Sequence, residues 1–389
     1  MNRTRHYTLA AALAAAAALS ACGGGGGIGG SGASTDGTMN LKLTDAPACG
    51  YDQVNISIER VRVHASSTAV DADSGWYELV LPSVQKIDLL TLQNGVLETL
   101  GAIKLPAGTY TQMRLVLAAN GGATPLANSV VPTGGAETAL TTPSGQQTGI
   151  KLNMNVSVPA NQVVDAVIDF DACKSVVKRG NSGQYNLKPV ISVTPVLSDA
   201  GLRITGFVDP LLAGANVSVQ SNGVPLKATV PDAAGQFVLY PVPVGSHDLV
   251  LTAPGRVSAV LTGVTVVDTA HTVVSTAAAP ILLPAVAVPE RTVAGTLSPA
   301  TGTLRALQTL GNGSTVEIAW LPVDEATGAF SAALPVDAPL RAAFAPGFSF
   351  APDAAAPGLY TLEASAGGAV KNTPIDTKAA VPPLAITVP

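Results

Sequence analysis

From Leu41 onward, apolar and polar residues alternate with a period of two, as in strands with one dry face and one wet face. Val54, Ile56 and Ile58 alternate with Asn55, Ser57 and Glu59. The parity then switches to Val61 and Val63, which predicts a bulge near Glu59 and Arg60. Ile150, Leu152, Met154, Val156 and Val158 alternate with Lys151, Asn153, Asn155 and Ser157. Val164, Ala166, Ile168 and Phe170 do the same against Asp165, Asp169 and Asp171. No long segment keeps a 3.6-residue period, and a short turn over residues 97–100 is the one helical expectation. Short strands separated by Gly, Pro and Asn turns predict an all-β chain of tandem antiparallel β-sandwiches.

The first residues follow another pattern. Arg3 and Arg5 precede an Ala/Leu run over residues 9–19, too short to cross ~30 Å of hydrocarbon. The run ends in Leu19-Ser20-Ala21-Cys22, which reads as a lipobox. Small Ser20 and Ala21 suit a peptidase cleft that admits short side chains. Cleavage of the signal peptide, residues 1–21, leaves diacylated Cys22 as the first residue; the alternative is an ordinary signal with a chance cysteine. The stretch resembles bacterial lipoprotein signals, which implies a palmitate-bearing anchor in the cell envelope. Gly23 replaces the aspartate associated with inner-membrane retention in enteric bacteria, so the resemblance points to the outer membrane. Diacylation plus N-acylation supplies more than one chain, enough for stable anchoring. Residues 22–39 are the lipidated cysteine and a Gly/Ser/Ala/Thr linker expected to be flexible coil. Gly25, Gly27 and Gly30 fit G-x-G-x-x-G, but no strand precedes them, so no nucleotide site is expected there.

Several separate motifs then occur in order. Leu43-Thr44-Asp45-Ala46-Pro47 is followed by Arg60-Val61-Arg62-Val63-His64 and by Asp88-Leu89-Leu90-Thr91-Leu92-Gln93-Asn94-Gly95. Leu105-Pro106-Ala107-Gly108-Thr109-Tyr110 with Arg114-Leu115, Asp169-Phe170-Asp171-Ala172-Cys173-Lys174-Ser175, and Lys188-Pro189-Val190-Ile191 complete the set. Together they resemble the bacterial lipoprotein family called domain of unknown function 4382, over about residues 40–197 of a first sandwich domain expected at 40–198. That resemblance implies architecture and envelope location and no activity. Two further units echo one another. Ile204-Thr205-Gly206, Asp232 to Phe237, Pro243-Val244-Gly245 and Ala253-Pro254-Gly255 make the first, over residues 202–288. Val293-Ala294-Gly295, Glu325 to Phe330, Leu334-Pro335-Val336 and Ala345-Pro346-Gly347 make the second, over residues 290–389, with Asp337 in place of the turn glycine. The pattern resembles carboxypeptidase-regulatory or transthyretin-like modules, which share a carbohydrate-binding-like fold.

Charged residues are 12% of the chain and hydrophobic ones 47%, so sizeable cores can be buried. Removing the leader takes two arginines and no acid, which moves the net charge from −5 to −7 and leaves no basic stripe for nucleic acid. With Cys22 carrying lipid, Cys49 and Cys173 form an even pair in an oxidising compartment, and a disulfide is favoured over two reduced thiols. Closing so long a loop is worth on the order of 4–5 kcal/mol in the chain-entropy model.

Candidate chemistry is sparse. Asp165, Asp169 and Asp171 form an acidic row, with Asp71-Ala72-Asp73-Ser74-Gly75 as a second cluster; calcium is the conceivable ligand, against a solvated face and a turn. Trp76 and Tyr77 are the exposed-ring candidates for stacking on sugar, although alternation sends one of them inward. His64, His247 and His271 are too scattered for a local metal or base arrangement, and G-x-S-x-G, H-E-x-x-H and C-x-x-C motifs are absent from the sequence. The expectation is a membrane-anchored envelope lipoprotein with a non-catalytic structural or interaction role and no cofactor, engaging an envelope protein or glycan. The rival is a carbohydrate-binding accessory lipoprotein; an envelope hydrolase comes third.

Overall fold

The computed structural model describes residues 36–45, 50–142, 148–198, 200–212 and 214–389. The expected leader, Cys22 and Cys49 lie outside the described residues. Strands Asp36–Asp45 and Tyr51–His64 open a series of β-strands in which the helical pieces among the described residues are single turns. These strands build six sheets around three hydrophobic cores, so the chain is a tandem of three β-sandwiches. The described residues belong to one compact unit.

The first strand begins at Asp36, inside the stretch expected as linker. Thr38 and Met39 pair with Val163 and Val164 on one side and with Lys104 and Ile103 on the other, and Met39 is fully buried. Burial of Met39, Leu41 and Leu43 on one face draws the preceding residues into the sheet. In the first sandwich a four-stranded sheet, Ile191–Val196, Val163–Phe170, Asp36–Asp45 and Glu98–Pro106, faces an eight-stranded one. Between them lie Leu41, Leu43, Ile56, Ile58, Leu115, Val156, Ile168 and Phe170. Along Ile150–Val158 every odd step is buried and every even step exposed, as the alternation requires. The register of Tyr51–His64 shifts between Ile58 and Arg60, so Glu59 is the bulge that the parity switch implied.

Two further expectations change. The sheets are mixed rather than purely antiparallel: Asp36–Asp45 runs parallel to Val163–Phe170, as does Ala259–Val266 to Leu340–Ala343. The residues expected to turn at 97–100 instead lead into strand Glu98–Pro106. Leu97 is drawn out to a small cluster with Val167, Val196, Leu202 and Tyr240 between the first and second sandwiches. That tertiary contact overrides the local pattern.

The second and third sandwiches repeat one plan. Gly206 pairs with Phe237 in one and Gly295 with Phe330 in the other, and both phenylalanines are buried. The turn glycines Gly235 and Gly328 have φ of 78° and 71°, a conformation that suits glycine. Asp232 caps the first turn by accepting from the Ala234 and Gln236 N–H groups. Asp324, one residue earlier than the expected Glu325, caps the second by accepting from Ala326 and Thr327. The echo fails at Ala345-Pro346-Gly347. Those residues lie in an excursion whose strands, Leu340–Ala343 and Ala351–Pro352, extend the sheet of the second sandwich. The third sandwich resumes with Leu359–Ala366, which pairs with Thr303–Thr309.

Candidate functional site

The ordered motifs of the first sandwich converge at one end. Asp171 caps the four-residue helix Ala172–Ser175 by accepting from the Lys174 N–H at 3.0 Å. Asp45 Oδ1 accepts from the Ala172 N–H at 2.9 Å, and Ser175 Oγ accepts from the Val190 N–H at 2.8 Å. This end is where the other two sandwiches dock.

The docking uses charge. Lys174 Nζ lies 2.9 Å from Glu317 Oε1 of the third sandwich, 3.8 Å from Asp171 Oδ2 and 5.1 Å from the centroid of the Trp320 ring. Lys227 of the second sandwich, 2% exposed, reaches Asp169 Oδ1 at 2.5 Å. The Gln220 amide pairs both ways with the Glu317 backbone, donating at 2.8 Å and accepting at 2.7 Å. Arg305 binds Glu363 at 2.6 Å and Glu317 at 3.4 Å. Asn94 completes the contact between the first two sandwiches, donating to the Gln236 carbonyl and accepting from the Val238 N–H.

A cleft of about 240 Å³ remains at the junction. Its walls are the helix of the first sandwich, the outer face of the second (Asn216, Ser218, Gln220, Val250, Thr252) and Glu317 to Trp320 of the third. Glu317 and Trp320 are three residues apart, so an unbroken strand would turn them to opposite faces. The register of Thr315–Leu321 slips, since Leu307 pairs with Glu317 while Ala306 pairs with Ala319. This bulge at Ile318 lets both side chains line the cleft. Loss of water at the junction pushes the Asp171 carboxyl up to about 6, against Lys174 and the capping N–H, with Asp169 and Glu317 adding to the rise. Asp45, also buried, is held well above the usual carboxylate range; its Oδ2 has no hydrogen-bond partner.

The acidic row is not a solvated face. Asp165 is bound by Lys42 at 2.5 Å and by Asn40 at 2.9 Å, Asp169 by Lys227, and Asp171 faces Lys174. Among the described residues no group of three or more His, Cys, Asp or Glu side chains is placed to hold a metal ion. The second cluster is a turn: Asp71 binds Arg62, and Asp73 accepts from the Val70 N–H. Trp76 is no open platform. Its N–H donates to the Val70 carbonyl, and the Arg62 and Arg114 guanidinium groups lie 4.6 and 4.9 Å from the ring centroid. Tyr77 is the inward residue, edge-on to buried Tyr110. His247 is buried and donates to the Pro243 carbonyl as a packing residue. Cys173 sits in the capped helix at the cleft, while Cys49 is outside the described residues. Glu317, Trp320 and Gln220 were not legible as site residues, because their meeting depends on a bulge and on docking between sandwiches.

Residues 36–189 match the family model described as "Domain of unknown function (DUF4382)". The match covers the first sandwich except its last strand, Ile191–Val196, and leaves the second and third outside it. No curated protein matches the chain. Among solved structures, an N-terminal interface mutant of a type II cohesin–X-dockerin complex from Acetivibrio cellulolyticus is 25% identical, with a TM-score of 0.20. A C-terminal interface mutant of that complex is 26% identical, with a TM-score of 0.19. In each case 22% of this chain and 58% of that chain are covered, and likenesses at these TM-scores carry no argument.

Proposed function

We propose that this chain is a membrane-anchored cell-envelope lipoprotein whose three sandwiches have a non-catalytic structural or interaction role. The observation that carries the role is the junction. Lys174 is tied to Glu317 and Asp171, and Lys227 to Asp169, so these charged groups are paired across three sandwiches. Groups that could act as acid or base are thereby engaged in holding the modules together. The anchor rests on Leu19-Ser20-Ala21-Cys22 and on the Gly-rich stretch that separates it from the first strand. No helix among the described residues is long and apolar enough to cross a membrane. In this reading Cys49 pairs with Cys173, stapling the segment after the first strand to the helix at the junction. The second and third sandwiches are transthyretin-like modules.

Mass spectrometry of the amino-terminal peptide from native membranes tests the anchor. Acylated Cys22 is expected as the first residue, and Cys22→Ser is expected to release the protein from the membrane fraction. An unmodified terminus on membrane-free protein would overturn the reading.

A further inference from the structure

The junction cleft has features that the docking of the sandwiches does not use. Its charges are already engaged with one another, since Lys174 is paired with both Glu317 and Asp171, which leaves a single carboxylate charge in excess. A charged ligand would therefore have to break a partly buried ion pair, which is costly. The capacity that remains is hydrogen bonding. Trp320, Asn216 and Thr252 all line the cleft, and the indole N–H, the amide and the hydroxyl make no hydrogen bond to another described residue. Asn216 and Thr252 are directly opposite each other in the antiparallel pair, so their side chains stand together on the outer face of the sheet. Val250, Ile318, Ala319, Pro225 and Pro322 supply apolar wall beside them. Lys174 holds the indole by its cation–π contact.

An indole, an apolar wall, an amide and a hydroxyl around a hollow whose charged groups are already paired match a ligand with an apolar ring face and a rim of hydroxyls. The volume of about 240 Å³ is below that of pockets for drug-sized ligands, roughly 300–1,000 Å³, which limits the occupant to a single ring. We propose that the cleft between Trp320 and the Asn216/Thr252 pair binds one neutral sugar ring, either free or at the end of a glycan. This adds a ligand to the interaction role proposed above and does not depend on the lipid anchor.

The chain has two tryptophans, so Trp76→Phe in the full-length protein leaves Trp320 as its only indole fluorophore. That protein is titrated with glucose, galactose, mannose and N-acetylglucosamine, their methyl glycosides and β-1,4-linked disaccharides, with glycerol as the acyclic control. At least one sugar is expected to shift the emission saturably while glycerol does not. A response to free monosaccharides assigns the site to free sugar; a response confined to methyl glycosides and disaccharides assigns it to glycan ends. Asn216→Ala and Thr252→Val should each weaken binding about tenfold, with melting temperatures confirming that both variants fold. No saturable response to any sugar, or a response that both substitutions leave unchanged, overturns the proposal. Neither result bears on the mass of the amino-terminal peptide, so the site and the anchor fail separately.

Discussion

The second and third sandwiches share strand order, turn chemistry and a Gly–Phe pair across two neighbouring strands, yet differ in how they are completed. After Gln236–Leu239 the second passes through Pro243-Val244-Gly245 directly into strand Gly245–Thr252. The third departs at the same point of its plan and lays Leu340–Ala343 along Ala259–Val266 of its neighbour. Leu340, Ala342, Phe344, Phe348 and Phe350 of this excursion pack on the core of the second sandwich. In the other direction, Val250 and Val260 on the outer face of the second sandwich pack into the core of the third. A long open edge strand invites wrong pairing, and here it is covered by a neighbouring module. Similar sequence units therefore need not be independent folding units.

Removing the excursion should break this dependence most visibly. Replacing residues 337–357 by a tight turn strips the apolar cover from the second core and uncovers the Ala259–Val266 edge. A loss on the order of 5 kcal/mol is expected, read by denaturant unfolding, with hydrogen exchange accelerating in Ala259–Val266. Unchanged protection there would mean that the second sandwich stands alone.

The paired glycines sharpen the comparison at smaller cost. A Cβ at Gly295 would meet the backbone carbonyl of Leu384, whereas at Gly206 it would meet the ring of Phe237, the Val274 side chain and the Ser275 hydroxyl. Side chains can shift where a strand backbone cannot. Gly295→Ala should therefore cost about 3 kcal/mol and Gly206→Ala about 1–2 kcal/mol. Equal melting temperatures for the two variants would show that the sites are equally rigid.

The smallest effect concerns acid and the junction that both sandwiches share. With its pKa raised to about 6, folded Asp171 binds its proton more tightly than the unfolded chain does. Its contribution to stability is full below the ordinary carboxylate pKa and is lost as pH rises through about 6. Asp45 acts in the same sense, while Asp324 and Asp353, held low, act in the opposite one. The clean reading is thus a difference: between pH 4 and 6 wild type should lose melting temperature relative to Asp171→Asn. A constant difference across that range would remove Asp171 from the account.

Much of the fold could be read locally. The alternation in 150–158 marked each buried residue of that strand, the parity switch located the Glu59 bulge, and the repeated segments ending in Phe237 and Phe330 each place their phenylalanine in a core. Other readings failed where distant residues intervene. Leu97 and Leu100 looked like a turn, but Leu97 is held by Tyr240 and its neighbours and Leu100 by the first core. Ala345-Pro346-Gly347 looked like part of the third module's repeat because three residues carry too little information to distinguish it from a loop on another sheet. Asp165 and Asp169 shared a polar face, and nothing nearby in the chain pointed to Lys227 as the counterion of Asp169.

The sequence by itself determined which face of each strand is dry, where the chain turns and which units resemble one another, because these properties are set by neighbours two to four residues apart. Tertiary structure alone decided what covers the outer faces: which lysine meets which carboxylate, which module lends strands to which, and the cleft where Trp320 and Glu317 come together. Such contacts join residues 58 to 143 positions apart, and a period-two pattern records that a face is polar without recording what it touches.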